Sequence, residues 1–126
     1  MKYLVDSHVM LWYIHGDNRL KSKYISIINN DENQILISSA SLWEIALKIS
    51  IGKLKLNTDF SEFIKYLQNN DFIILDFDMD DLNYMINLPI HHQDPFDRLI
   101  ISQAITKDIP LISDDDKFKK YAVKLV

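Results

Sequence analysis

The chain has 126 residues, 48% of them hydrophobic and 25% charged, which is typical of one globular domain and excludes a disordered chain. Its formal net charge of −4 excludes binding to nucleic acid through a general excess of Lys and Arg. It also lacks cysteine, signal-peptide and membrane-span patterns, so we expect a single cytoplasmic domain over residues 1–126, without disulfides, thiolate zinc sites or membrane contact.

Predicted strands and helices alternate along the N-terminal half of the chain. Short apolar runs predict strands at residues 3–5 and 34–38, and helical spacing of apolar side chains predicts helices at 9–14, 22–29 and 39–51. Gly16 and Gly52 follow two of these helices, in the position where glycine commonly ends a helix. Both strands therefore lead into helices.

The same alternation continues in the C-terminal half. Helices are predicted at 60–67, 80–88, 94–107 and 117–121, and strands at 72–75, 111–113 and, as an edge strand, 123–126. The run at 72–75 is apolar enough for a buried strand. Repeated alternation of apolar strands with helices predicts a three-layer α/β/α fold, in which helices cover both faces of a mostly parallel central sheet.

Four acidic residues follow predicted strands or lie near predicted helix starts. They are Asp6, Glu44, Asp97 and Asp115. Because the carboxyl ends of parallel strands and the helix starts after them lie along one edge of the sheet, we expect these carboxylates to lie close together. Carboxylate oxygens are the ligands that Mg²⁺ prefers, with Mn²⁺ as a substitute. The pattern therefore predicts a metal site.

Each acid also has a purely structural explanation. Asp6 is typical of a helix N-cap, and Ser41 with Glu44 forms a capping-box pattern. Asp94 fits an N-cap, and Asp97 fits a favourable contact with the helix dipole. The acidic run at residues 114–116, directly after the predicted strand at 111–113, fits a solvated turn. Only the convergence of the acids at one edge favours a functional site over these alternatives.

Adjacent histidines and two tryptophans are weaker candidates for function. His91 and His92 are expected at the surface or in a supporting role, since adjacent histidines rarely face the same ion and no cysteine accompanies them. Trp12 and Trp43 lie on apolar helix faces and are expected in the core. The absence of a glycine-rich phosphate loop disfavours the common nucleotide-binding folds.

Four segments carry a more specific combination of residues. They are Leu4-Val5-Asp6-Ser7-His8, Ser41-Leu42-Trp43-Glu44, His91-His92-Gln93-Asp94-Pro95-Phe96-Asp97-Arg98 and Leu111-Ile112-Ser113-Asp114-Asp115-Asp116. Together they resemble the PIN-domain family and, more narrowly, VapC-type toxins of type II toxin–antitoxin systems, over nearly the whole chain. The resemblance implies a PIN-like fold and a magnesium-dependent endoribonuclease, in which a metal-activated water hydrolyses an RNA phosphodiester.

The resemblance also implies roles for individual residues. Asp6, Glu44 and Asp97 match the most regular acidic positions of the family. Asp115 matches the fourth, although an aspartate stands on each side of it and a shift of one residue would exchange their roles.

Supporting residues follow from the same resemblance. Ser7 and Ser113 match positions where a small hydroxyl side chain supports the site, and Asp94 matches a capping and positioning residue.

The resemblance further implies an RNA substrate, a small antitoxin protein lying across the acidic groove, and a homodimer. Arg98, Lys48 and Lys53 are candidate contacts to RNA phosphates. Two alternatives stay open. One is a catalytically silent PIN-like module that binds RNA or protein. The other is a phosphohydrolase that uses Asp6 as its nucleophile, although His8 stands where such an enzyme has a second aspartate.

Overall fold

The computed structural model describes residues 1–126 and consists of six α-helices, four strands and a short 3₁₀ helix. In chain order these are β1 (Lys2–Val5), α1 (Ser7–His15), α2 (Ser22–Asn29), β2 (Gln34–Ser38), α3 (Ser39–Ser50), α4 (Phe60–Asn69), β3 (Ile73–Leu75), α5 (Met79–Ile86), α6 (Pro95–Thr106), β4 (Leu111–Ile112) and the 3₁₀ helix Asp116–Lys120. Every predicted helix is present, with bounds shifted by a few residues.

The four strands form one parallel sheet in the order β3-β2-β1-β4. β1 is central, pairing Leu4 with Leu36 of β2 on one side and with Leu111 of β4 on the other. The strand order thus reverses direction at β1, and the crevice beyond the carboxyl ends of β1 and β4 is where such sheets bind ligands.

Two predictions about the sheet are wrong in detail. The strand predicted at 72–75 is an edge strand and is only partly covered, with Ile73 exposed. The edge strand predicted at 123–126 is reduced to a single parallel bridge between Leu125 and Leu111. Both errors arise because a short apolar run is equally compatible with a central strand, an edge strand and a packed tail.

Side chains of successive strand residues point to opposite faces of the sheet and build two separate cores. Val5 and Ile37 pack with α1, α2 and α4 on one face, whereas Leu4 and Leu36 pack with α6 and the C-terminal segment on the other. Helices therefore cover both faces, which confirms the predicted three-layer α/β/α architecture. Every helix is too short or too polar for a membrane crossing.

Candidate metal centre

Asp6 follows β1 and lies at the crevice beyond the sheet. Its Oδ1 atom accepts the amide hydrogen of Val9 at 2.8 Å and so caps α1, while its Oδ2 atom accepts the hydroxyl hydrogen of Ser113. The amide of Asp6 donates to the carbonyl of Ile112 at 3.0 Å, which ties the ends of β1 and β4 together. The side chain is thus a helix cap and a member of the crevice at once.

Burial dominates the electrostatics of Asp6, which is 4% exposed. Loss of hydration raises the pKa of this carboxyl, against the opposing hydrogen bonds from Ser113 and Val9. Since both oxygens accept hydrogen bonds and the side chain is buried, Asp6 is poorly placed to attack a phosphorus atom. This geometry does not support the alternative in which the protein is a phosphohydrolase and Asp6 is its nucleophile.

Glu44 enters the crevice from the second turn of α3 and is 3% exposed. Its Oε1 atom accepts the hydroxyl hydrogen of Ser7 at 2.9 Å, and its Oε2 atom pairs with the Lys48 ammonium group at 2.9 Å. The capping-box alternative for Glu44 is wrong, because Ser38 is the N-cap of α3 and accepts the Ala40 amide at 3.0 Å. Glu44 is therefore free of any capping role.

Asp97 is delivered to the site by the start of α6. Asp94 caps this helix with Oδ1, which accepts the amides of Phe96 at 2.9 Å and Asp97 at 3.1 Å, and Pro95 occupies the first turn. The fixed φ of Pro95 and the hydrogen-bonded amides of the first turn hold the start of α6 in place. Asp94 therefore fixes the position from which Asp97 projects.

The pKa of Asp97 is raised to about 8, first by burial and then by repulsion from Asp94, Glu44, Asp6 and Asp115. Repulsion of this kind requires that the carboxylates lie near one another. The structure thus places Asp97 within 4.8 Å of Asp115, with His92 between them, and Asp6 and Glu44 lie near enough for their charges to act on Asp97. At neutral pH the cluster holds an excess proton, which a cation could replace.

Asp115 is the member of the final acidic run that faces the other acids. Its Oδ1 atom accepts the Lys117 amide at 2.9 Å, its Oδ2 atom lies 2.9 Å from Nε2 of His92, and its amide donates to Oγ of Ser113 at 3.1 Å. Burial acts to raise the pKa of Asp115, but the bonds from Lys117 and His92 outweigh it and leave this pKa below its usual range.

Its two neighbours point elsewhere. Asp114 pairs with Lys21 at 2.7 Å, and Asp116 pairs with Lys119 at 2.9 Å with its side chain 89% exposed. Among the three aspartates, the geometry therefore favours Asp115 as the fourth acid of the cluster.

His92 is a component of the site that the sequence left among surface or supporting residues. It is 7% exposed, and its Nε2 atom lies 3.1 Å from Asp97 and 2.9 Å from Asp115. His91 by contrast is exposed and contacts Tyr121. One signal in the sequence could have separated the two histidines: His92 stands two residues before the Asp94 cap, so the turn that places Asp97 also places His92.

The predicted cationic contacts differ in their surroundings. Arg98 donates to the carbonyls of Pro89 at 3.0 Å, Leu88 at 3.1 Å and Met85 at 3.3 Å. Its guanidinium group thus fastens α6 to the end of α5 through three hydrogen bonds, and this geometry does not support the predicted phosphate contact.

Lys48 and Lys53 remain at the crevice. Lys48 pairs with Glu44, and an exposed Lys53 lines a cavity of about 300 Å³ that also includes Ser7 and Glu44. Trp12, half-buried, lines the same cavity and packs on the core.

The prediction for Trp43 is wrong, because its side chain is 57% exposed and touches Phe96 edge-on, with ring centroids 4.9 Å apart. Helical periodicity identifies the apolar face of α3 but not which part of that face another element covers.

Comparison with known proteins places this geometry in a family. A family model for the PIN domain matches residues 3–124. Similar solved structures include VapBC2 from Rickettsia felis bound to a promoter DNA fragment (23% identity, TM-score 0.73, covering 100% of this chain and 98% of that one) and DNA-bound VapBC from Salmonella typhimurium (15%, 0.72, 100% and 97%). A toxin-antitoxin complex from Klebsiella pneumoniae is also similar (16%, 0.65, 98% and 95%). No curated protein sequence matches the chain.

Proposed function

The chain belongs to the PIN domain family, and we propose that residues 1–126 form a single Mg²⁺-dependent endoribonuclease domain, the toxin of a type II toxin–antitoxin pair. The observation that carries the proposal is the acidic cluster itself: carboxylate oxygens of Asp97 and Asp115 lie within 4.8 Å of each other. In addition to burial, repulsion from Asp94, Glu44, Asp6 and Asp115 raises the pKa of Asp97 to about 8. A cluster of carboxylates that repel one another is an electrostatic site for a cation.

The donor set fits Mg²⁺. All four groups are carboxylates, which are hard oxygen ligands, and they come from four different elements rather than from one closed loop. Mg²⁺ commonly binds to a few carboxylates and keeps sites open for substrate oxygens, and Mn²⁺ accepts the same ligands. When bound, the ion supplies an activated water and neutralises charge that develops on the phosphodiester.

The surrounding side chains orient the carboxylates. Ser113 donates to Asp6 and Ser7 donates to Glu44, so that in each acid one oxygen has a fixed direction. Lys48 stands beside Glu44 at the rim, where an ammonium group can bind a phosphate of the RNA once the cation takes over its role as partner of Glu44. We propose Lys48 and Lys53 as phosphate contacts. Arg98 is not among them, because its guanidinium group donates to backbone carbonyls.

The decisive experiment compares cleavage of a panel of structured RNAs by wild-type protein, Asp97→Asn and the matched control Asp116→Asn. We expect Asp97→Asn to lose about 100-fold or more of the Mg²⁺-dependent rate, since a charged ligand is removed. Asp116 pairs only with Lys119 and faces solvent, so its variant keeps wild-type activity. Cleavage that survives a chelator, or an Asp97→Asn variant as fast as wild type, would show that the catalytic assignment is wrong.

A small antitoxin is the proposed protein partner. One structural neighbour is a toxin-antitoxin complex, and the acidic crevice of this chain would attract an antitoxin segment that places an Arg among the carboxylates. Expression in a bacterial host, with and without the small open reading frame beside the gene, tests this proposal. We expect growth arrest that the neighbouring frame relieves; unaffected growth in both cases would count against it.

A homodimer is the proposed assembly, and an apolar stripe on α3 supports it. Trp43, Leu47 and Ile51 follow one another at intervals of four residues and are all exposed, an arrangement that favours burial against another molecule. Leu47→Lys is expected to reduce the mass measured by light scattering to that of a monomer. Tyr66→Lys, which changes an equally exposed side chain on α4, serves as the control, and a monomeric wild type would refute the assembly.

A further inference from the structure

His92 lies between two carboxylates that come from different parts of the chain. Its Nε2 atom is 3.1 Å from Oδ2 of Asp97 in α6 and 2.9 Å from Oδ2 of Asp115 in the loop after β4. The three ligand-type atoms lie within 4.8 Å of one another. This spacing alone fits two roles: His92 could bind a metal ion through Nε2, or it could donate a hydrogen to the carboxylates.

The second ring nitrogen distinguishes these roles. Nδ1 of His92 accepts the backbone amide hydrogen of Asp94 at 3.1 Å, so this atom presents a lone pair and carries no hydrogen. A histidine ring with a bare Nδ1 carries its hydrogen on Nε2. We assign this tautomer from the hydrogen-bond network. Nε2 then faces Asp97 and Asp115 as a donor and has no lone pair for a cation.

Binding of a metal through Nε2 would require the opposite arrangement. The hydrogen would have to move to Nδ1, where it would point at the amide hydrogen of Asp94. Histidines that ligate metals usually donate their other ring hydrogen to a carboxylate or carbonyl group. Here that nitrogen is an acceptor, and its donor is the amide of the residue that caps α6. A ligand role would therefore disturb the helix start that holds Asp97.

Two residues near the C-terminus of the chain hold the His92 ring in this orientation. The amides of His91 and His92 donate to the Tyr121 hydroxyl at 2.9 and 2.8 Å, and the His92 ring packs against the fully buried Phe118 with centroids 5.7 Å apart. Backbone and ring of His92 are thus both anchored, which limits reorientation toward a ligand role.

We propose that His92 is a positioning residue: one Nε2 hydrogen, shared between Asp97 and Asp115, sets the spacing of two proposed metal ligands, and His92 itself does not bind the ion. The inference rests on the proposed metal site and goes beyond it by assigning a function to a residue outside the carboxylate set. It also predicts that the ion is held by oxygen atoms alone.

Two variants of similar shape distinguish hydrogen-bond donation by Nε2 of His92 from packing of its side chain. His92→Gln places an amide NH₂ near the position of Nε2 and keeps a donor for the carboxylates, whereas His92→Asn places a carbonyl oxygen near Nδ1 and keeps only the bond from Asp94. In calorimetric titration with Mn²⁺, we expect the Gln variant to stay within about threefold of wild type and the Asn variant to bind about 10–100-fold more weakly. Equal losses in both would overturn the proposal.

Nitrogen-15 NMR of the wild-type protein keeps the test independent of variants that fold poorly. Without metal, His92 is expected to show a bare Nδ1 and a protonated Nε2, and addition of Mg²⁺ should leave this tautomer unchanged. A hydrogen that moves to Nδ1 on addition of Mg²⁺ would identify His92 as a ligand and overturn the proposal. Neither readout depends on RNA cleavage, so a protein that behaves as expected here but cuts no RNA would refute only the proposed nuclease function.

Discussion

The charge of Asp97 should destabilise the fold when no metal is bound, and Asp97→Asn should relieve this effect. The carboxyl has a pKa of about 8 in the folded protein, against 3.8 for the unperturbed group. A raised pKa means that the folded state holds a proton that the unfolded state has released, so the free energy of unfolding falls as the pH rises through this interval. Asparagine has no such proton and avoids the loss.

The size of the effect follows from the shift. The interval between the unperturbed pKa of 3.8 and pH 7 is about three pH units. At about 1.4 kcal/mol per unit, the charge of Asp97 lowers the free energy of unfolding by at most about 4 kcal/mol at pH 7. Its side chain is 13% exposed, so water and counter-ions reduce this figure. The asparagine also accepts a weaker hydrogen bond from His92. We therefore expect Asp97→Asn to stabilise the metal-free protein by about 1–3 kcal/mol at pH 7.

Urea denaturation followed by circular dichroism, in the presence of a chelator, measures this difference. It should be close to zero only below about pH 3, where Asp97 is largely protonated in both the folded and the unfolded wild-type protein, and it should grow toward pH 8. Excess Mg²⁺ should shrink or reverse it, because an ion at about 100 times its dissociation constant stabilises the wild type by about 2.7 kcal/mol. Asp76→Asn, at an exposed residue, is the control. A variant no more stable than wild type at pH 7.5 in chelator would refute the electrostatic reasoning.

Three further predictions concern the same region. Mg²⁺ affinity should rise with pH up to about 8, since the ion displaces the proton of Asp97; titration calorimetry in two buffers should show a proton released at pH 7, and a pH-independent affinity would contradict this. Asp115→Asn should lower RNA cleavage by about tenfold or more, while Asp114→Asn, at the residue paired with Lys21, should leave the cleavage rate unchanged. Arg98→Met should lower the free energy of unfolding by about 1–3 kcal/mol, because the donors to three carbonyls are lost. The KM for RNA should stay unchanged; a raised KM with normal stability would instead support a phosphate contact by Arg98.

The architecture was predictable because it depends on local patterns that repeat. Strands such as Gln34–Ser38 are apolar throughout and lead directly into helices, and only a parallel sheet with helices on both faces buries such strands. The position of a strand within the sheet depends on contacts between distant segments. The exposed face of β3 was therefore not readable from residues 72–75.

The convergence of the acids was predictable for the same reason, since it follows from the shared edge of a parallel sheet. The errors concern individual side chains whose partners lie far away in the sequence. Arg98 turns back to the carbonyls at the end of α5. Trp43 stays 57% exposed, because Phe96 of α6 covers only one edge of its ring. His92 enters the site because Tyr121, far along the chain, holds its backbone. Periodicity contains no information about such contacts, and among them only the position of His92, two residues before the Asp94 cap, was readable from motif spacing.

Capping and membership of the acidic cluster looked like competing explanations for each carboxylate, yet the structure combines them in single side chains. In Asp6 and in Asp115, Oδ1 caps the following helix while Oδ2 faces a partner in the crevice. A carboxylate has two oxygens and about four acceptor positions, so a cap that fixes one oxygen also fixes the direction of the other. The helix starts at this edge of the sheet therefore orient the acids of the cluster, and a sequence pattern typical of an N-cap is no argument against a functional role when the helix follows a parallel strand.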